Sequence, residues 1–219
     1  MSRKVIIFGT GTFAEVVLFY LKQDTRYDVV AFTATDNYVN SDSIFGFPLV
    51  PFEGIESFFP PHDHEMFIAI GYSNLNKIRE KFYYLAKEKG YKLLTYISPM
   101  SVVLTEKIGD NCFIFENNTI QPYVSIGNNV IIWSGNHIGH HSIIEDHCFI
   151  SSHVVISGLC HIKKYTFLGV NATIRDSVVV EEENIIGAGS LIMKNTKPRQ
   201  VYFAKRAELF PKDSSKVRL

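Results

Sequence analysis

From Val102 onward one apolar position returns every six residues. The steps run from Ile108 through Ile114 and Ile120 to Ile192, with only Leu168 and Val180 departing from isoleucine: fifteen branched aliphatics in fifteen steps. Glycine follows at 109, 127, 139, 169 and 187. The fourth position past each aliphatic is mostly small, as at Cys112, Ser142, Cys148, Cys160 and Ala172. A fixed period of six is the pattern of a parallel β-helix, in which each turn stacks on the last and the aliphatics form inward ladders.

The first hundred residues follow another rule. Short apolar runs at Val5 to Phe8, Val29 to Phe32, Phe67 to Ile70 and Leu93 to Ile97 are rich in β-branched and aromatic residues and read as buried strands. Helical patterns at 13 to 22 and 75 to 89 separate them, the second ending at Gly90. Strands alternating with helices predict a small parallel sheet with crossover helices. The expected layout is an α/β domain over 1–98, a β-helix over 99–196 and a tail over 197–219.

Length and composition add limits. With 219 residues and 46% hydrophobic positions the chain can bury a sizeable core. Lys plus Arg equals Asp plus Glu at 22 each, which gives no electrostatic reason to expect nucleic acid or an anionic membrane as the main partner. The opening MSRKVIIFGTG has an apolar run too short for a signal-peptide core, and no segment reaches 18 apolar residues, so a cytoplasmic protein is expected. The cysteines, Cys112, Cys148 and Cys160, all fall on the small inward position of the repeat, which reads as packing rather than redox chemistry.

At the first strand-to-helix turn stands Gly9-Thr10-Gly11-Thr12-Phe13-Ala14, a G-x-G-x-x-A fingerprint in strand–turn–helix context. Glycine lets backbone approach a phosphate, and free N–H groups at the helix start favour an anion. The alternative is a tight turn that binds nothing. Too few residues precede the change of architecture for a second mononucleotide half, so the domain has room for one nucleotide. Asp36, past the second strand, is placed to meet a ribose or base, and Gly71, Tyr72 and Ser73 border the same crevice, unless either set is ordinary loop.

Six of the eight histidines lie between 137 and 161. If three hexapeptides make one coil, residues 18 apart sit one above the other. His140 then lies beneath Gly158, His153 between Gly135 and Asn171, and His147 beneath Tyr165. Zinc is one explanation, but the H-x4-H spacing of γ-class carbonic anhydrases is absent, and no metal is expected. Outward-facing polar residues are a second, and His137, His147 and His161 read as surface or inter-subunit positions. Acid–base catalysis is the third. Acyl transfer from a thioester needs a proton acceptor near neutral pH and a donor where negative charge develops, and His140 with the Gly158 N–H offers both.

A single-nucleotide α/β domain, then "YISPMSVV", then an unbroken hexapeptide helix resembles the bacterial sugar O- and N-acyltransferases of the sialic acid O-acetyltransferase and bacillosamine N-acetyltransferase (NeuD/PglD) type. Gly9 to Ala14, "IAIG" at 68 to 71, the repeat, and "IGHHSIIEDHCFIS" from 138 carry the likeness. It implies a left-handed β-helix, a homotrimer with active sites between subunits, His140 as general base and Gly158 as the oxyanion donor. Acetyl-CoA would run past Gly158, Val170, Gly187 and Ala188, with Lys205 near its phosphates. The nucleotide of the sugar donor would rest on Gly9, Gly11, Thr12, Phe13, Asp36, Gly71 and Tyr72.

Three departures stand out. His141 occupies the place where the family often has an acid that orients the base, so Glu145, Asp146 or another subunit would have to serve. A second active-site histidine of the bacillosamine enzyme falls on Phe149, and the family's G-x-P-A-K element is reduced to "VYFAKRAEL" at 201 to 209. The expected activity is N-acetylation of a nucleotide-linked amino sugar for surface glycan synthesis. Sugar O-acetylation is the nearest alternative, and a non-catalytic nucleotide-sugar-binding scaffold is the alternative of another class.

Overall fold

The computed structural model describes residues 2–209, 211 and 214–216; residues 210, 212, 213 and 217–219 of the tail lie outside the described residues. The N-terminal part comprises β1 (Arg3–Phe8), α1 (Thr12–Gln23), β2 (Tyr27–Ala34), β3 (Ser43–Ile44), β4 (Phe47–Pro51), β5 (Glu65–Ile68), α2 (Lys77–Glu88) and β6 (Lys92–Leu93). They form one sheet in the order β3-β4-β2-β1-β5-β6, in which β3–β4 is the antiparallel pair. Alternation along β1 explains its two helices. Val5 and Ile7 share a core with Val17 and Leu21 of α1, whereas Ile6 and Phe8 face Tyr83 and Ala86 of α2.

Three local differences from the sequence pattern have physical causes. The helix expected from 75 begins regularly at Lys77, because Asn74, Leu75 and Asn76 all adopt positive φ, at 50°, 48° and 66°. The run 93 to 97 divides: Leu93 ends the sheet, while Tyr96–Ile97 pairs with Phe113–Ile114 in the next architecture. β4, with Pro48 and Pro51, is not among the predicted strands, yet it pairs parallel to β2 near the sheet edge, where proline is tolerated.

Beyond Ile97 the chain winds into a three-sided left-handed β-helix of two-residue strands paired 18 residues apart, as in Ile120 with Ile138 and Ile138 with Ile156. One side carries Phe113–Ile114, Ile131–Ile132, Phe149–Ile150, Phe167–Leu168 and Ile185–Ile186; it is the domain-facing side. The second carries Thr119–Ile120, His137–Ile138, Val155–Ile156, Thr173–Ile174 and Leu191–Ile192. The third carries Ser125–Ile126, Ile143–Ile144, His161–Ile162 and Val179–Val180. The second residue of these pairs points inward and builds the ladder; Ile114, Ile132, Ile150 and Ile186 are fully buried.

Each corner turns through a residue in the left-handed region, among them His141, His147, His153, Leu159 and Asn171, with φ of 58° to 61°. The N–H of each of these corner residues donates to a carbonyl 19 residues earlier, as from Leu159 to His140 at 2.8 Å and from Asn171 to Ser152 at 3.1 Å. The last coil is closed by the tail. Val201–Tyr202 pairs with Ile185–Ile186, and Asn195 Oδ1 and Thr196 Oγ1 accept the Val179 and Glu181 N–H groups at 2.9 and 2.8 Å.

The domain-facing side is apolar outside as well as inside. Phe113, Phe115, Ile131 and Phe149 join α1 in one core, and Tyr20 meets Phe115 edge-on at 4.9 Å. The polar bolt across this junction is Arg79 of α2, which is fully buried. Its guanidinium donates to Asn76 Oδ1, Asn129 Oδ1 and the carbonyls of Ile70, Gly71, Asn129 and Cys148, at 2.9 to 3.3 Å. Burial pulls its pKa down to about 9, so it remains charged at neutral pH.

Candidate active site

The corner between the second and third sides carries His140 and Gly158. A Cβ on Gly158 would fall 2.8 Å from both Nε2 and Cε1 of His140, so the imidazole rests against the bare glycine of the coil above. The Gly158 N–H makes no hydrogen bond among the described residues. His140 is held from below, its own N–H donating to Gln121 Oε1 at 2.9 Å. Its Nδ1 lies 3.1 Å from His141 Nδ1. His140 is solvent-exposed and Gly158 half-buried, so a substrate has access to both.

The remaining histidines have separate duties. His147, expected at a surface or between subunits, is buried: its ring stacks on Tyr165, Nδ1 meets Asn129 Nδ2 at 2.9 Å, and Nε2 lies 3.5 Å from Glu80. Desolvation holds its pKa below the ordinary histidine value. His153 fills the space beside Gly135, where a Cβ would come within 2.6 Å of its ring. His161 Nε2 meets Glu145 at 2.6 Å.

The carboxylates expected to orient His140 are engaged elsewhere. Glu145 also accepts the Lys164 N–H at 3.1 Å, and Asp146 accepts the Asn128 N–H at 2.6 Å. Both follow the third side, away from the His140 corner. Among the described residues no three His, Cys, Asp or Glu side chains converge as a metal site.

A cavity of about 670 Å³ opens where the N-terminal sheet meets the β-helix. Gly9, Gly11, Thr12, Phe13, Gly71 and Tyr72 line it, together with Tyr38, Phe82, Trp133 and Phe149. Gly9 is required by its turn, having φ of +130° and a missing Cβ that would lie 2.8 Å from the Ala69 carbonyl. Gly11 has open space where a Cβ would stand, and the Thr12 and Phe13 N–H groups after it make no hydrogen bond among the described residues. Among the described residues no charged side chain lines the cavity. An anion there would depend on backbone N–H groups and the α1 dipole. Asp36 is not among the lining residues; it is exposed on the turn between Thr35 and Tyr38, which are.

Trp133 and Phe149 are the β-helix residues among the lining, and sequence reasoning did not assign them to a nucleotide site. Phe149 packs against Tyr72 at 4.9 Å and Phe167 at 5.7 Å, and Phe115 stacks on Trp133 at 4.4 Å. The available signal was the column of outward apolar residues at 113, 131, 149 and 167, one coil apart, which no solvent-facing side would carry. Val170 and Ala188 lie exposed on the corner between the domain-facing and second sides, and Gly187 is covered by Phe203, whose Cδ1 would lie 2.6 Å from a Cβ there. One chain therefore does not bring them to the His140 corner. Lys205 is exposed in the tail.

Residues 4–84 match the PglD N-terminal domain family, and residues 95–201 match the GMPPB C-terminal domain family. The acetyltransferase domain of PglB from Neisseria gonorrhoeae FA1090, solved in complex with acetyl coenzyme A, superposes with a TM-score of 0.80 at 22% identity, over 92% of this chain and 96% of that one. A variant of perosamine N-acetyltransferase from Caulobacter crescentus, in complex with CoA and GDP-perosamine, gives 0.80 at 23% identity, over 90% and 92%. At these identities the likeness speaks for the fold.

Among curated proteins, gamma carbonic anhydrase 1 of Arabidopsis thaliana is 40% identical over 58 residues, 26% of this chain. The chain spans between 21% and 42% of the length of the curated relatives it matches. Residues 4–84 thus carry a domain of the PglD N-terminal family, joined to an uninterrupted hexapeptide β-helix that matches the GMPPB C-terminal domain family over residues 95–201.

Proposed function

We propose that the protein transfers an acetyl group from acetyl-CoA to the amino group of a nucleoside-diphosphate-linked amino sugar, as a cytoplasmic homotrimer serving surface glycan synthesis. The observation that carries this reading is the seating of the His140 imidazole against Gly158, whose N–H is unpaired among the described residues. His140 Nε2 accepts a proton from the attacking amine nitrogen as the N–C bond forms. Negative charge on the thioester oxygen is met by the Gly158 N–H, and the tetrahedral intermediate collapses with loss of the CoA thiolate. The aromatic cavity beside Gly9 and Gly11 suits one nucleotide, and the two solved neighbours named above are an acetyltransferase domain and an N-acetyltransferase.

The division of labour within the prism supports subunit sharing. The cavity is built on the domain-facing side, whereas the His140 corner is formed by the other two sides. A cavity and a base facing opposite ways on one copy are brought together by a neighbouring copy. Val170, Ala188 and Lys205 are then candidates for the CoA groove.

The test mixes protein and acetyl-CoA with UDP-, dTDP- and GDP-linked amino sugars and with hydroxyl-only counterparts, following CoA release with a thiol reagent. Release with an amino sugar and loss of release in His140→Ala, with both ligands still bound, support the reading. Release only with hydroxyl acceptors favours O-acetylation. No release with any acceptor favours the scaffold.

A further inference from the structure

Building on His140 as the base, we infer that His141 is its positioning residue, taking the role expected of a carboxylate. The contact is between the two Nδ1 atoms, 3.1 Å apart, with the rings nearly perpendicular at 87°. Two facing ring nitrogens at that distance must share one hydrogen. If His140 Nδ1–H donates to His141 Nδ1, the His140 Nε2 lone pair is bare and faces Gly158. The reverse arrangement puts a proton on Nε2 and makes His140 useless as a base. A base at this position therefore requires His141 as acceptor.

Independent contacts hold His141 for that task. It sits at a corner with φ of 58°, a conformation that fixes the direction of its side chain. Its ring packs on Tyr123 of the coil below at 4.6 Å, while Gln121 of the same coil holds the His140 backbone. Above, the Leu159 N–H donates to the His140 carbonyl at 2.8 Å. The pair is thus gripped from both neighbouring coils. The acid candidates Glu145 and Asp146 are occupied by His161, Lys164 and Asn128.

The experiment uses the full chain with acetyl-CoA and whichever amino-sugar nucleotide releases CoA. His141→Phe keeps a ring to pack on Tyr123 and removes the acceptor nitrogen. Its kcat is expected to fall roughly 10- to 100-fold with both KM values unchanged, less than the ~10²- to 10⁴-fold loss for His140→Ala. His141→Asn, whose Oδ1 replaces Nδ1 and which tolerates the left-handed corner, should recover kcat to within a few-fold. Imidazole ¹⁵N–¹H spectra of the ligand-free wild type should show His140 as the Nδ1–H tautomer. Wild-type kcat in His141→Phe while His140→Ala is inactive overturns the inference and leaves the base reading standing, whereas an Nε2–H tautomer at His140 overturns both. Full activity in His140→Ala overturns both.

Discussion

Replacing Gly158 by alanine separates the chemistry of the corner from its architecture. The glycine does not occupy the left-handed region, so the backbone accepts a Cβ without strain. That Cβ would lie 2.8 Å from His140 Nε2 and Cε1, against a carbon contact distance of about 3.5 Å. The ring must therefore retreat by roughly 0.7 Å. Because His140 is exposed it can swing, at a rotamer cost of about 0.5–1.5 kcal/mol. In a chain of 219 residues that lowers Tm by about 1–6 °C. Displacing a reacting group by ~1 Å costs on the order of 10²-fold in rate, so Gly158→Ala should lose roughly 10- to 100-fold in kcat.

Gly139→Ala is the matched control. There the new Cβ would meet the Gly158 nitrogen and the Ser157 carbonyl carbon at 2.5 Å, backbone atoms locked in the coil above. Overpacking of that kind costs about 1–3 kcal/mol or more and should depress Tm further than Gly158→Ala does. The assays are differential scanning fluorimetry and steady-state CoA release. Gly158→Ala with wild-type kcat would refute the proximity argument, and equal Tm losses in the two variants would refute the claim that only one contact is yielding.

Three further outcomes follow from the buried groups. Arg79→Met strips the donors from the Gly71, Asn129 and Cys148 carbonyls and should destabilise the protein by about 2–4 kcal/mol in urea unfolding, with loss of nucleotide binding, since Gly71 lines the cavity. His147 has a folded pKa below its unfolded value, so its contribution is complete above the ordinary histidine range and is lost as pH falls through it, while the unfolded chain takes up the proton. Unfolding free energies measured between pH 7.5 and 5.5 should decline less steeply in His147→Gln. The Cys112 and Cys148 thiols are pushed up to about 12 by burial and Cys160 is raised, so none should react with Ellman's reagent until the chain is denatured. A native reaction of even one thiol would contradict that and would add a background to the CoA assay.

Periodicity made the β-helix readable, because each inward aliphatic recurs at a spacing with no competing explanation, and 18-residue stacking follows arithmetically; His140 against Gly158 came from that arithmetic alone. The α/β elements were readable where both sheet faces are buried, as in β1 and β5, and less so where proline or positive φ intervened, as at β4 and 74–76. What sequence order could not convey was which outside wall of the prism would be covered. Phe149 and Trp133 look like exposed aromatics until α1 and Tyr72 are set against them, and His147 looks like a surface residue until Glu80 and Tyr165 close over it. The orienting group proposed for His140 is invisible to a reading that looks for a carboxylate, because His141, the next residue in the chain, offers a ring nitrogen instead.

The left-handed corners bear on how the chain reaches this state. An L-residue held at such a φ is unfavourable by roughly 1–2 kcal/mol, so a solitary coil, with several such corners and nothing beneath them, has little tendency to form. Each corner amide reaches back to a carbonyl of the preceding coil, which makes an existing coil the template for the next. Winding that begins where Tyr96 and Phe113 lie against the N-terminal core would then propagate in the order in which the ribosome delivers the chain.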